Sequence, residues 1–332
     1  MERIIQSEYF TALHGKQILI TGASGFLGFY LVFLLLYANE NYETGISVVL
    51  MMRSMNNISP VFQGLLHRKD VKVVLQDVRN EVILPNEIDY IIHAATTSDS
   101  RKLREDGTGV IDSAFNGTKN IIEYAKRARA KSIVYVSSIT VLGDIIGDTV
   151  VDEDYCGAAK WNEPVACYIY GKRVSEYLAF GAYKSQNVPI KIIRPGYVYG
   201  ASTEKDSRVY SEIIKSAAEN KEILLHSAGY IYRPLIYVMD LIDAVFRVLI
   251  LGKDGEAYNV SGSVTSIREF AETAQILSGV ELNVSVDSQD RIIDDCTRFS
   301  YLKVSEHVGW RALNKLQDGI KKSIKTYQWR NL

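Results

Sequence analysis

The stretch ILITGASGFLGFYLVFLLLYA, residues 18–38, contains no charged side chain, and its reading decides the fold. Its 21 residues match the length of a membrane-spanning helix, which needs about 20. A spanning helix is continuous, however, and this run is punctuated by Gly22, Gly25 and Gly28, with Thr21 and Ser24 among them. That spacing predicts a short β-branched strand, a tight turn, and then an apolar helix from Phe26. The helix keeps about 13 residues before Asn39 and Glu40, roughly 20 Å, which is too short to cross a bilayer. A helix that is apolar almost all round belongs between a sheet and a second layer. No membrane span is expected.

Working outward, β-branched runs recur at 46–52 (ISVVLMM), 71–76 (VKVVLQ), 89–93 (DYIIH), 132–137 (SIVYVS) and 190–194, beside the first at 16–21. Helical patterns lie between them at 26–39, 112–129 and 164–186. Strands alternating with helices predict an α/β fold, a Rossmann-like doubly wound parallel sheet. Past Gly200 the pattern changes to mixed elements: helices at 208–219, 239–251, 267–277 and 313–328, and an extended segment at 257–260. The expected organisation is an N-terminal arm (1–15), a dinucleotide-binding domain (16–200), and a smaller C-terminal α/β lobe (201–332) that mainly binds substrate. That lobe would cover the carboxyl ends of the strands, where open α/β sheets hold ligands.

Composition removes several classes of function. Lys and Arg number 38 against 39 Asp and Glu, so the chain lacks the basic excess of a nucleic-acid binder. Three cysteines in no CxxC spacing suggest neither a disulfide framework nor a zinc site. Five scattered histidines form no HExxH-like cluster, so no metal is expected. The start MERIIQSEYF has mixed charge and no apolar core, which fits a cytoplasmic protein better than a secreted one.

GASGFLG follows a strand and opens a helix, the context in which glycines let a pyrophosphate approach the helix N-terminus. Dinucleotide binding is the reading that context selects. The second strand normally ends in an acid that binds the adenosine ribose, yet residues 45–57 contain none. Arg53 stands there instead, which leans toward NADP(H), with NAD(H) the alternative. Asp77, with Val78 beside it, closes the third strand and is placed to accept the adenine amino group. Tyr168 and Lys172, in YIYGK, lie four residues apart on the long helix and face the same way. An ammonium near the phenol would lower its pKa and make it a usable acid and base. Ser137 and Ser138 end the fifth strand, where a hydroxyl can polarise a sugar oxygen.

Taken in order, GASGFLG, HAA (93–95), FNGTKN (115–120), SSITVLG, YIYGK and RPGYVYG (194–200) resemble the extended short-chain dehydrogenase/reductase superfamily. RPLIYVMDLIDA (233–244) is similar to the signature of its nucleotide-sugar epimerase/dehydratase branch, which includes UDP-galactose 4-epimerase. The resemblance covers residues 16–328. It implies that Ser138, Tyr168 and Lys172 are catalytic. Gly22, Gly25 and Gly28, with Phe26 and Leu27 in the same loop, would bind the NAD(P)(H) pyrophosphate, and Ala94, Ala95 and Pro195 would line the cofactor. Arg233 and Arg291 would grip the diphosphate of a nucleotide-sugar substrate, with Thr140 and Tyr197 lining the sugar pocket. Members commonly form homodimers through the helices at 112–129 and 164–186, here offering Val174, Tyr177, Leu178 and Phe180.

Departures from the family pattern shape the expected activity. Dehydratases and decarboxylases of the superfamily resemble one another in a Glu two positions past the catalytic Ser, where this chain has Thr140 after Ile139. Leu142 replaces a usual Tyr, a change expected to reshape the pocket, and Tyr197 replaces a common Asn. The expected function is hydride transfer at a sugar ring carbon, most simply C4, by an epimerase or a 4-keto reductase. The alternatives are a dehydratase or decarboxylase using Asp144 or Asp152, and a non-catalytic NAD(P)-binding regulator.

Overall fold

The computed structural model describes residues 1–332 except 57, 85–86, 97–99, 146–149, 203–205, 286–297 and 331–332. Seven strands form the central sheet: β1 (Gln17–Thr21), β2 (Ser47–Met52), β3 (Val71–Leu75), β4 (Tyr90–His93), β5 (Ser132–Val136), β6 (Ile190–Pro195) and β7 (Ala257–Val260). Their order across the sheet is β7-β6-β5-β4-β1-β2-β3, and every pairing is parallel. Parallel strands are buried on both faces, and the side-chain period of two divides their residues between two layers. Ile18 and Ile20 of β1, with Val48, Leu50 and Met52 of β2, pack into one core, while Leu19, Val49 and Met51 pack into the other.

Helix α1 (Phe26–Tyr42) and helix α4 (Val238–Leu251) cover the first face. On the other face α2 (Gly107–Ala128) and α3 (Ala166–Gln186) pack along each other. The uncharged run is therefore β1, the glycine turn and α1, whose residues Phe29–Leu36 are buried except Phe33. Among the described residues no helix is long and apolar enough to cross a membrane. The N-terminal arm folds into the same core: Ile4, Ile5, Phe10 and Leu13 are buried, and the Tyr9 hydroxyl donates to Asp243 of α4 at 2.6 Å.

After Gly200 the chain returns to the central sheet twice, with α4 on its face and β7 at its edge. Before and after these visits the chain builds a three-stranded sheet of Tyr197–Tyr199, Tyr232–Tyr237 and Val264–Ser266. Helices Val209–Ala218, Ile267–Ser278 and Leu316–Arg330 pack against one another beside that sheet. Phe270 sits edge-on to both Tyr199 and Tyr210 and ties the small sheet to these helices. Strand order reverses between β1 and β4, and the crevice at that switch point lies at the strands' carboxyl ends.

Candidate active site

The glycine turn sits at the end of β1 because backbone occupies the space that side chains would need. Gly22 has φ +69°, and a Cβ there would lie 3.0 Å from Ala94 O and from Ala95 Cα. A methyl on Gly28 would fall on Gly22 O and within 2.6 Å of Ala23 Cα. The turn thus rests directly on Ala94–Ala95, with Ser24 and Gly25 exposed and Phe26 and Leu27 half-buried. Gly25 caps α1 without a side chain, which leaves the first N–H groups of the helix open to an anion.

His93 fastens this end of the sheet. Its Nδ1 lies 2.7 Å from Thr21 Oγ1 and its Nε2 3.2 Å from Thr118 Oγ1, while Thr21 Oγ1 accepts the N–H of Ala95 at 3.2 Å. Burial, with the Lys172 charge adding to it, pushes the His93 pKa down to about 3. The imidazole is neutral and works as a hydrogen-bonded strut between β1, β4 and α2.

The catalytic candidates converge across β5 and α3. Ser138 caps a short 3-10 turn (Ile139–Leu142), and its Oγ accepts from the Thr140 N–H at 3.3 Å and from the Thr140 hydroxyl at 2.9 Å. Tyr168 lies near enough for Ser138 to favour its ionised form. Lys172 is 3% exposed, donates to Val136 O at 2.6 Å, and holds its ammonium 4.8 Å from the Tyr135 ring centroid and 5.9 Å from that of Tyr168. One sequence expectation is corrected here. Desolvation raises the Tyr168 pKa to about 12, against the pull of Ser138 and of Arg208. The ammonium is itself poorly solvated, with burial lowering its pKa to about 7. At neutral pH burial therefore keeps the phenol protonated.

The remaining candidates from the sequence take the following places. Leu142 is 1% exposed and packs with Ile139 and Val151. Asp77 is engaged on both carboxylate oxygens by Arg79, which holds its pKa low. Val78 is buried, and its carbonyl accepts from Asn120 at 3.0 Å. Arg53 is exposed near Asp77, on which its charge acts. Asp144 and Asp152 are both exposed, and Asp152 accepts the N–H of Asp154. Arg291 lies outside the described residues.

On the far side of the crevice, Pro195 is buried at the end of β6 and Tyr197 is exposed two residues on. The Arg233 guanidinium lies 5.4 Å from the Tyr197 ring centroid, and Tyr197 acts electrostatically on both Tyr168 and Tyr210. Sequence reasoning missed Arg208, which is held by Asp206 and stacks 4.5 Å above Phe26 of the glycine loop. No local pattern marks it; only the return of the C-terminal segment to the loop brings it in. Glu176, four residues past Lys172, was visible by helical spacing but carried no motif.

Two orphaned hydroxyls test whether this crevice suits a dinucleotide. Thr96 Oγ1 and Ser137 Oγ are buried without a partner among the described residues, at the ends of β4 and β5. Unmet polar atoms there, an open helix N-terminus and a turn with no room for Cβ atoms fit an elongated NAD(P)-type ligand laid across the strand ends.

The NAD dependent epimerase/dehydratase family pattern matches residues 18–261. UDP-glucuronic acid decarboxylase 5 of Arabidopsis thaliana is 27% identical over 312 residues, spanning 92% of this chain and 87% of that protein. The structure of a UDP-glucuronic acid 4-epimerase from Bacillus cereus, in complex with UDP-glucuronic acid and NAD, superposes with a TM-score of 0.77 at 22% identity, covering 95% of this chain and 100% of that one. An epimerase from Methanothermobacter thermautotrophicus gives a TM-score of 0.81 at 18% identity, covering 98% and 97% of the two chains.

Proposed function

Because the chain belongs to the NAD-dependent epimerase/dehydratase family, we propose that it is a nucleotide-sugar 4-epimerase acting through Ser138, Tyr168 and Lys172. The observation that carries this reading is the catalytic set itself, followed by a hydroxyl at Thr140 where elimination chemistry would need a carboxylate. When bound, the nicotinamide supplies a hydride acceptor and donor. Ser138 orients the C4 oxygen of the sugar. Tyr168 takes the proton from that oxygen as the hydride leaves, and returns it after the sugar presents its other face. Lys172 holds the nicotinamide ribose and, when charged, adds positive field that favours the phenolate of Tyr168, against the burial that raises its pKa. Arg208 acts in the same direction.

The substrate is a nucleoside diphosphate sugar. Arg233 suits the diphosphate, since a guanidinium matches phosphate oxygens in a fork, and Arg291 is assigned the same task. Tyr197 and Thr140 line the sugar between them. Residues 201–332 mainly supply this substrate lobe. Likeness to a decarboxylase favours decarboxylation, but Asp144 and Asp152, the two acids that the sequence offered in place of the missing Glu, are both exposed.

A second reading is a 4-keto-sugar reductase using NADPH, favoured by Arg53 at the end of β2, where a 2′-phosphate would lie. The chain is assigned to a homodimer built on α2 and α3: Val174, Tyr177 and Phe180 are exposed there, whereas Leu178 packs into the core. Free thiols at Cys156 and Cys167 suit the reducing cytoplasm. Incubation of the purified protein with a panel of UDP- and dTDP-sugars, with and without NADPH, separates the readings. A C4 epimer formed without net change in nicotinamide absorbance supports epimerisation; net oxidation of NADPH supports reduction; loss of water or carbon dioxide from the sugar sinks both.

A further inference from the structure

Lys172 does not stand alone in its dry surroundings. One turn further along α3 lies Glu176, also buried, at 8% exposure against 3% for the lysine. Helical spacing puts the two on the same face. Glu176 cannot swing away, because Arg194 of β6 grips both its oxygens, with Nε at 3.0 and 3.2 Å and Nη2 at 2.6 Å. Arg194 is fixed in turn by the carbonyl of Glu153 at 2.7 Å, and the Glu153 carboxylate accepts the N–H of Asn259 at 2.7 Å. The set spans α3, β6, β7 and the Glu153 loop.

Charge counting gives this set its meaning. Arg194 is shared between two buried carboxylates, Glu176 and Glu153, and Lys303 also acts on Glu153, whereas Lys172 is the cation that faces Glu176 along the helix. The titratable groups that face Lys172, among the described residues, are His93 of β4, Tyr135 of β5, and Tyr168 and Glu176 of its own helix. His93 is neutral and both tyrosines hold their protons. Glu176 is therefore the anion that answers the ammonium.

We propose that Glu176, locked by Arg194, is a positioning residue that keeps the Lys172 ammonium charged and aimed at the cofactor crevice, so that dinucleotide binding holds across neutral pH. The direction of the Lys172 shift agrees, since burial lowers its pKa and Glu176 is the influence that raises it. The proposal rests on the assignment of Lys172 to the nicotinamide ribose, and its test separates the two.

The test follows the lysine side-chain NMR signals of the full chain against pH, with Lys172 identified by its loss in Lys172→Met, together with NAD+ affinity. In Glu176→Gln the Lys172 midpoint should fall by about one unit or more, the usual effect of losing an adjacent countercharge. NAD+ affinity near pH 8 should weaken about tenfold while affinity near pH 6 changes little. Glu176→Gln leaves Arg194 buried without its partner, so Glu176→Gln/Arg194→Met, which removes both charges together, serves as the second variant and should show the same fall. An unmoved midpoint in the folded double variant overturns the proposal. A lowered midpoint with unchanged NAD+ affinity upholds the role of Glu176 and overturns the ribose role of Lys172.

Discussion

Replacing His93 with asparagine isolates the acid sensitivity of the crevice. The imidazole is 1% exposed, is hydrogen-bonded on both nitrogens, and has its pKa pushed from an ordinary 6.5 to about 3 by burial and by Lys172. In the unfolded chain it titrates at the ordinary value, so between 6.5 and 3 the unfolded state binds a proton that the native state refuses. The stability contributed by the neutral ring is thus complete above about pH 6.5 and is lost as pH falls toward 3. Each unit in that window costs about 1.4 kcal/mol, which gives about 2 kcal/mol between pH values of about 7.5 and 5, and about 5 kcal/mol over the whole window. Buried carboxylates with depressed pKa values, such as Asp206 at about 2, lose their contribution only at lower pH, so the upper part of the window belongs mainly to His93. Asparagine keeps a polar partner for Thr21 and cannot titrate. Urea unfolding of both proteins at the two pH values should show the natural chain losing about 2 kcal/mol more than His93→Asn. Equal losses in the two proteins would refute the argument.

Gly28→Ala should lower the thermal midpoint by several degrees and weaken NAD+ binding, because its methyl meets only backbone, at Gly22 O and Ala23, and overpacking costs about 1–3 kcal/mol; an unchanged melting curve would show that the turn has room to relax. Tyr168→Phe should cut kcat by about a hundred- to ten-thousandfold with KM little changed, measured on whichever nucleotide sugar the protein turns over. Arg53→Ser should weaken NADPH about tenfold and leave NAD+ binding intact, a split read by titrating both dinucleotides against tryptophan fluorescence; equal effects on both would remove Arg53 from the 2′-phosphate site.

Much of this arrangement is legible in the chain because short-range rules govern it. Three glycines after ILIT leave only one economical local structure, and the structure places β1 at Gln17–Thr21 and α1 from Phe26. Where a cap decides, the reading slips. Helix α2 begins at Gly107 rather than at 112, because the Asp106 side chain accepts the N–H of Gly109 at 3.0 Å and starts a helix that its glycines hide. The partners of β7 were not legible, since nothing in AYNV names Ile192–Pro195 as its neighbour. The phenol of Tyr168 shows the limit at the site. Spacing placed Lys172 beside it, but the burial of both side chains, which opposes any lowering of the phenol pKa, depends on strands and loops far away in sequence.

The most direct measurement of the central claim is the fate of a C4 hydrogen. A nucleotide sugar labelled with deuterium at C4, incubated with the purified protein and NAD+, should give the C4 epimer with the deuterium still on C4 and none in the water. Hydride transfer away from that carbon and back to it requires this retention, with Tyr168 moving only the proton on oxygen. Release of the deuterium to solvent, or the absence of any C4 epimer across the nucleotide-sugar panel, would contradict the account.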